Sequence, residues 1–187
     1  MFYIYDNINN YTDNDYQEMY NNLNQFNKDK IDKLVNTNDK NLSILSKYLL
    51  KSILSQKYNL DYNNIYYNDN GKPFIKGIYF NISHSNEYVV LAFSNNKIGI
   101  DIEKIRKVDL SIMNAFCTSK EKDYILNSKN KYKSLFEIFC LKESYIKMLG
   151  TNLFNIKEIK LNNNNLNITT IYDIPDYIIV ITEELNN

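Results

Sequence analysis

One histidine and two cysteines in 187 residues leave little for soft-metal or thiol chemistry. Cys117 and Cys140 make no disulfide framework and lack metal-ligand spacing, and His84 alone is too little for a zinc site. Net charge is missing too: lysine plus arginine, at 22, equals aspartate plus glutamate. No overall field therefore draws the chain to nucleic acid or to an anionic membrane. No apolar run is long enough to span a bilayer, and the start "MFYIYDNINN" has neither the basic region nor the apolar stretch of a secretion signal. A soluble, cytoplasmic protein is expected. Hydrophobic residues at 44% and charged residues at 24% are ordinary for one globular domain or two small halves. The 17 tyrosines accompany heavy use of Asn, Lys and Ile and are given no functional weight.

"FYIYD" near the start has the character of a strand. From Asp15 to Tyr58 the pattern is helical, with Leu42, Leu45, Leu49 and Ile53 at three-to-four spacing. A polar segment then ends in the punctuation "NGKP", Asn70 to Pro73. Three β-like runs follow, "IYFNISHS", "EYVVLAFS" and "KIGIDIE", and the turn residues Ser85-Asn86 and Asn95-Asn96 predict a meander. Ser111 to Asn127 is expected to be helical, as is Lys133 to Leu149, with Gly150 as its C-cap. The tail, "IKEIKLNNNNLNITTIYD" then "DYIIVIT", reads as strands turned through the asparagine run. Each half thus offers helix-rich and then β-rich sequence. The expected fold is α+β, in two similar halves, 1–96 and 97–187. The seam is poor in Gly and Pro, so close packing is expected there rather than a flexible linker.

Four stretches bear chemistry. In "IGIDIE", read as a strand, Ile98, Ile100 and Ile102 share one face, and Gly99, Asp101 and Glu103 the other. The two carboxylates then lie side by side, about 7 Å apart at their α-carbons, next to a glycine that permits close approach. An exposed polar face is the simpler reading, and a seat for a hard divalent cation the sharper one. In "FEIFCLKESYIKMLG", Glu143 and Lys147 lie one helical turn apart, with Phe136 and Phe139 on nearly the same stripe. That is either a surface ion pair or a partly buried functional pair. In "FNISHS", Asn81, Ser83 and Ser85 fall on one face and Ile82 and His84 on the other, so Ser83 and His84 diverge and form no nucleophile–base pair. His84 is either structural or a donor to phosphate. In "GKPF", Gly71 and Pro73 make a turn, and Lys72 is either solvated or a ligand contact.

Taken together, "GKPF", "FNISHS", "GIDIEK" and "FCLKESYIK" resemble, in order and spacing, the signature of the 4′-phosphopantetheinyl transferases of the surfactin-synthetase-associated type. The resemblance is dense from Gly71 to Leu153. It implies two α+β halves about a pseudo-twofold axis with coenzyme A in the cleft. It also implies transfer of phosphopantetheine to a serine of an acyl or peptidyl carrier protein, by a monomer, with release of 3′,5′-adenosine bisphosphate. By the same resemblance Asp101, Glu103 and Glu143 hold Mg2+, and Lys147 contacts the pyrophosphate. Ser83, His84, Gly71 and Lys72 would meet the coenzyme, and Lys30 of the Lys28/Lys30/Lys33 cluster its 3′-phosphate. Glu143, or alternatively Glu121, would take the serine proton. Magnesium suits such an oxygen donor set. Departures are Phe139 where members usually carry Trp, "GTNL" where they often read Gly-Lys-Gly-Leu, and Leu42 where an arginine is expected. The segment after the acidic strand, with Ile112, Met113 and Phe116, is either a carrier-docking face or core. Two further readings remain, a non-catalytic coenzyme A or carrier binder and a magnesium-dependent nucleotide phosphohydrolase.

Overall fold

The computed structural model describes residues 2–151, 156, 157, 159 and 165–185. The first half runs β1 (Phe2–Asn7), α1 (Asp13–Asn21), α2 (Gln25–Asp32) and α3 (Thr37–Tyr58). A small hairpin follows, β2 (Tyr66–Tyr67) and β3 (Pro73–Phe74), then β4 (Tyr79–Ser85) and β5 (Tyr88–Ser94). The second half runs β6 (Ile98–Lys104), α4 (Met113–Phe116), α5 (Ser119–Asn127), α6 (Lys131–Leu149), β7 (Leu166–Ile171) and β8 (Tyr177–Glu184).

Two three-stranded antiparallel sheets result, ordered β1-β5-β4 and β6-β8-β7. In each, the half's first strand pairs with its last, and the last with the one before it, while helices fill the interval between. The architecture is therefore two α+β halves of one topology. Alternation along β5 joins them. Val89, Leu91 and Phe93 pack on α3 residues such as Leu45 and Leu54, whereas Val90 and Ala92 pack with Ile98, Ile100, Ile102, Ile179 and Ile181 of the second half. The contact between them is buried and apolar.

Three expectations change. The helical stretch from Asp15 to Tyr58 is three helices, because Asn24 and Asn36 each accept backbone N–H groups as N-caps and restart the chain. Ser111 to Asn127 likewise divides into a 3-10 turn, α4 and α5, with Thr118 and Glu121 forming a reciprocal capping box at the start of α5. The meander is a single hairpin: β4 and β5 pair, but β6 leaves them for β8, because β1 already occupies the other edge of β5. The long helix behaves as expected, starting at Lys131 and ending on Gly150 at φ 69°. Glu158, Lys160 and Leu161 of "IKEIKL" and the first three asparagines of the run, 162–164, lie outside the described residues.

Candidate active site

The site begins with Gly99. A Cβ placed there would lie 1.9 Å from the Ser144 carbonyl oxygen and 2.4 Å from the Met148 nitrogen, so α6 rests backbone-to-backbone on β6 at this point. That contact lays the Glu143–Lys147 face of α6 over the acidic face of β6. Asp101, which the simpler reading leaves in solvent, is only 4% exposed. Its Oδ1 accepts from Lys147 Nζ at 2.6 Å and from Ser83 Oγ at 2.9 Å, and Lys147 Nζ also reaches Ser83 Oγ at 2.9 Å. Asn81 fastens the two halves beside them, its Oδ1 accepting from the Ile100 N–H at 2.9 Å.

Two glutamates of the site are raised. Burial, and then the charge of Asp101, raise Glu143 above the ordinary glutamate range, against the pull of Lys147. Burial and Asp101 raise Glu103 in the same way, against Arg106, whose guanidinium lies 3.4 Å from Glu103 Oε2. Asp101 Oδ2 is buried and meets no hydrogen-bond donor at bonding geometry, the Cys140 thiol beside this carboxylate being a weak one. An orphaned carboxylate oxygen is costly unless something outside the protein meets it. The donors are all oxygen, which fits magnesium in kind. The seat is not preassembled: among the described residues no three His, Cys, Asp or Glu side chains converge closely enough to hold a metal ion. The cation beside Asp101 is instead the Lys147 ammonium.

A groove leads away from this cluster. One section, about 190 Å³, is lined by Gly71, Pro73, Ile82 and Lys147; the next, about 260 Å³, by Pro73, Ile82, Lys30, Lys47 and His84. Pro73 and Ile82 belong to both. Lys30 lies 4.2 Å from the Phe26 ring centroid and 4.7 Å from that of Tyr67. Lys28 bonds the Asn21 carbonyl and lines neither section, and Lys33 lines neither. Burial, and then Lys30, lower Lys47 to about 8, and its ammonium bonds Ser43 Oγ. Crowding by protein atoms, then Lys147 and Lys47, lower His84.

Comparison with known proteins bears on this arrangement. A 4′-phosphopantetheinyl transferase superfamily model matches residues 97–183, and a 4′-phosphopantetheinyl transferase N-terminal model matches residues 10–96. The chain belongs to this superfamily. It is 42% identical over 127 residues to the 4′-phosphopantetheinyl transferase gsp of Aneurinibacillus migulanus, covering 64% of this chain and 53% of that one. To the 4′-phosphopantetheinyl transferase Sfp of Bacillus subtilis it is 33% identical over 133 residues, covering 67% and 59%. To the human L-aminoadipate-semialdehyde dehydrogenase-phosphopantetheinyl transferase it is 28% identical over 163 residues, covering 75% and 53%. The matched part spans little more than half the length of these relatives.

In this superfamily member the motif residues separate. Ser83 joins the acid cluster, while His84, on the opposite face of β4, joins the groove. Lys72 is not a solvated turn residue. Its ammonium is buried among carbonyls of Lys147, Met148 and Ile98, as the end of α6 requires, while the residue also lines the groove section beside Gly71. Glu121 is also corrected as a proton acceptor. Its Oε2 accepts from the Thr118 N–H and hydroxyl and, at 2.8 Å, from Lys142 Nζ. Burial opposes ionisation, yet the Lys142 and Thr118 hydrogen bonds hold its pKa below the ordinary value, which suits a structural anion rather than a base.

Lys142 is the residue that sequence reasoning missed. It is fully buried and also donates to the Phe116 carbonyl at 2.8 Å. Its only signal was a capping-box glutamate, legible locally as Thr118-x-x-Glu121. Glu121→Ala, which strands that ammonium, is expected to cost about 3 kcal/mol. Lys142→Met should cost less, about 1–2 kcal/mol, since Glu121 keeps 22% of its side chain in solvent. Urea midpoints of the two variants check the order.

Phe139 packs edge-to-face on Phe116, with centroids 5.1 Å apart, so the aromatic packing survives without Trp. Leu42 is core. Of the expected docking residues, Met113 and Phe116 are buried, and Ile112 is 40% exposed. Asn152 and Leu153 of "GTNL" lie outside the described residues.

Proposed function

We propose that this chain transfers the 4′-phosphopantetheine group of coenzyme A to a serine of an acyl or peptidyl carrier protein and releases 3′,5′-adenosine bisphosphate. The observation that carries the reading is the junction of an acid cluster, with its orphaned Asp101 oxygen, and a groove lined by Lys30, Lys47 and His84. A pyrophosphate-linked anion fits both ends of that path. We read the halves 1–96 and 97–187 as two walls of one site, in a cytoplasmic monomer.

Asp101, Glu103 and Glu143 would hold Mg2+, with the glutamates turning toward Asp101 Oδ2. Bound there, the ion would polarise the attacked phosphorus and neutralise charge on the leaving group. The carrier serine oxygen forms a bond to the β-phosphorus, and the bond from that phosphorus to the bridging oxygen of the nucleotide breaks. Glu143 accepts the serine proton. Lys147 pairs with the leaving phosphate. Lys30, Lys47 and His84 take the distal phosphate, while Gly71 offers backbone in the section nearer Lys147.

Intact-mass spectrometry tests this directly. Apo carrier proteins incubated with the chain, coenzyme A and magnesium should gain one phosphopantetheine, and EDTA should abolish the gain. Release of 3′,5′-adenosine bisphosphate without a carrier would favour the phosphohydrolase. Coenzyme A binding with no release would favour the non-catalytic binder.

A pH dependence follows from Lys47. Its ammonium, at about 8, is largely charged at pH 7 and largely neutral at pH 9. Coenzyme A affinity should therefore fall roughly threefold to tenfold between those values, and Lys47→Met should flatten the dependence. Calorimetric titration in two buffers of different ionisation heat would also show proton uptake on binding near pH 8. A flat wild-type profile would remove Lys47 from the site.

A further inference from the structure

The loop between β2 and β3 belongs to the first half, yet its polar groups converge on the last turn of α6 in the second. Lys72 Nζ donates to the Lys147 carbonyl at 2.5 Å and to the Met148 carbonyl at 2.7 Å, and it lies 3.4 Å from the Ile98 carbonyl at the start of β6. Asn68 Nδ2 and Asn70 Nδ2 both donate to the Gly150 carbonyl, at 3.0 and 2.9 Å. Asn68 Oδ1 in turn accepts from the Lys72 N–H at 2.8 Å, which fixes the loop that delivers the ammonium. Gly150 leaves room for it: a Cβ there would lie 2.8 Å from Lys72 Cδ.

These carbonyls are the ones a helix leaves without intrahelical partners, at the negative end of its dipole. An ammonium placed there from another element is both a cap and a clamp. The clamped residue matters most. Lys147 is held at both ends, its backbone carbonyl by Lys72 and its side-chain ammonium by Asp101 and Ser83. The three-atom contact of Lys72 also sits beside Gly99, where α6 already touches β6.

We infer that Lys72 is a positioning residue, which sets the Lys147 ammonium in the site by capping α6 from the opposite half rather than by touching the coenzyme. This inference rests on the transferase reading, and its test separates the two. Turnover would be compared for the wild type, Lys72→Met, Lys147→Met and the double variant, on the carrier that the wild type modifies best. The expected result is a kcat lowered about 10- to 100-fold in Lys72→Met with the KM for coenzyme A within about threefold. In the Lys147→Met background the same substitution should change kcat by less than about threefold, because the group it positions has gone. Lys72→Arg should restore part of the rate.

A raised KM that persists in the Lys147→Met background would overturn the inference in favour of direct coenzyme contact. Fully additive losses in kcat would overturn it in favour of a general structural role. Should Lys72→Met fail to fold, Asn70→Ala removes one of the two amides on Gly150 and takes its place in the cycle. Hydrogen exchange supplies a readout that needs no activity. The Gly150 and Thr151 amides, both bonded to the Ile146 carbonyl, should exchange faster in Lys72→Met, while β4 and β5 stay protected. Unchanged exchange there would overturn the clamp even if the wild type modified no carrier at all.

Discussion

Asp101→Asn is expected to lower phosphopantetheine transfer by about 10³-fold at saturating magnesium while leaving the fold in place. The substitution keeps the shape of the side chain and an acceptor for Ser83 and Lys147, so it removes charge and little else. Asp101 is almost wholly buried, shares one oxygen with both of those donors and leaves the other without a donor at bonding geometry. Its charge raises both Glu103 and Glu143. Loss of that charge relieves the repulsion among the acids, and Lys147, with 29% of its side chain exposed, can recover water. Stability should therefore move by less than about 1 kcal/mol. Initial rates from intact-mass spectra, with a urea titration of the same sample, check both halves of the expectation. Near-normal turnover in Asp101→Asn would remove the aspartate from the chemistry. A collapse of stability would assign it to the scaffold instead.

Gly99→Ala has the second large effect, and for a different reason. The three atoms nearest the added Cβ are all main-chain, the Ser144 oxygen at 1.9 Å, the Met148 nitrogen at 2.4 Å and the Met148 α-carbon at 3.0 Å. No rotamer change relieves contacts of that kind. The helix must lift from the strand, carrying Glu143 and Lys147 away from Asp101. Overpacking of this sort costs about 1–3 kcal/mol, and a shift of about 1 Å in catalytic groups costs about 100-fold in rate. Gly71→Ala is the control for stability. Nothing lies within 4 Å of a Cβ at Gly71, so its cost to the fold is the positive φ of 80°, about 1 kcal/mol. Urea midpoints for the pair should differ in that direction. Equal, small effects in both variants would show that α6 does not bear on β6 at Gly99.

The parts of the site that could be read from the chain are those set by local periodicity. Alternation in "IGIDIE" puts Gly99, Asp101 and Glu103 on one face wherever the strand goes, and the helical turn puts Lys147 next to Glu143. The glycine at 150 ends α6 because it adopts φ 69° at little cost. The capping asparagines were local signals as well. Asn24 and Asn36 restart helices, yet in a chain this rich in asparagine one cap looks like any other polar residue.

What the chain alone left open were questions of partnership. Whether β6 continues a meander or heads a second sheet depends on the edges already taken, and β1 had taken one of them. Lys72 follows a turn, where solvent is the ordinary surrounding, and only the arrival of the α6 carbonyls buries it. Ser83 and His84 are neighbours in sequence but face different elements, one reaching Asp101 and the other the Lys47 groove. Local geometry therefore determined which side each functional group faces. Only the packing of α6 on β6, and of one half on the other, decided what each group meets, because burial and charge pairing arise between segments distant along the chain.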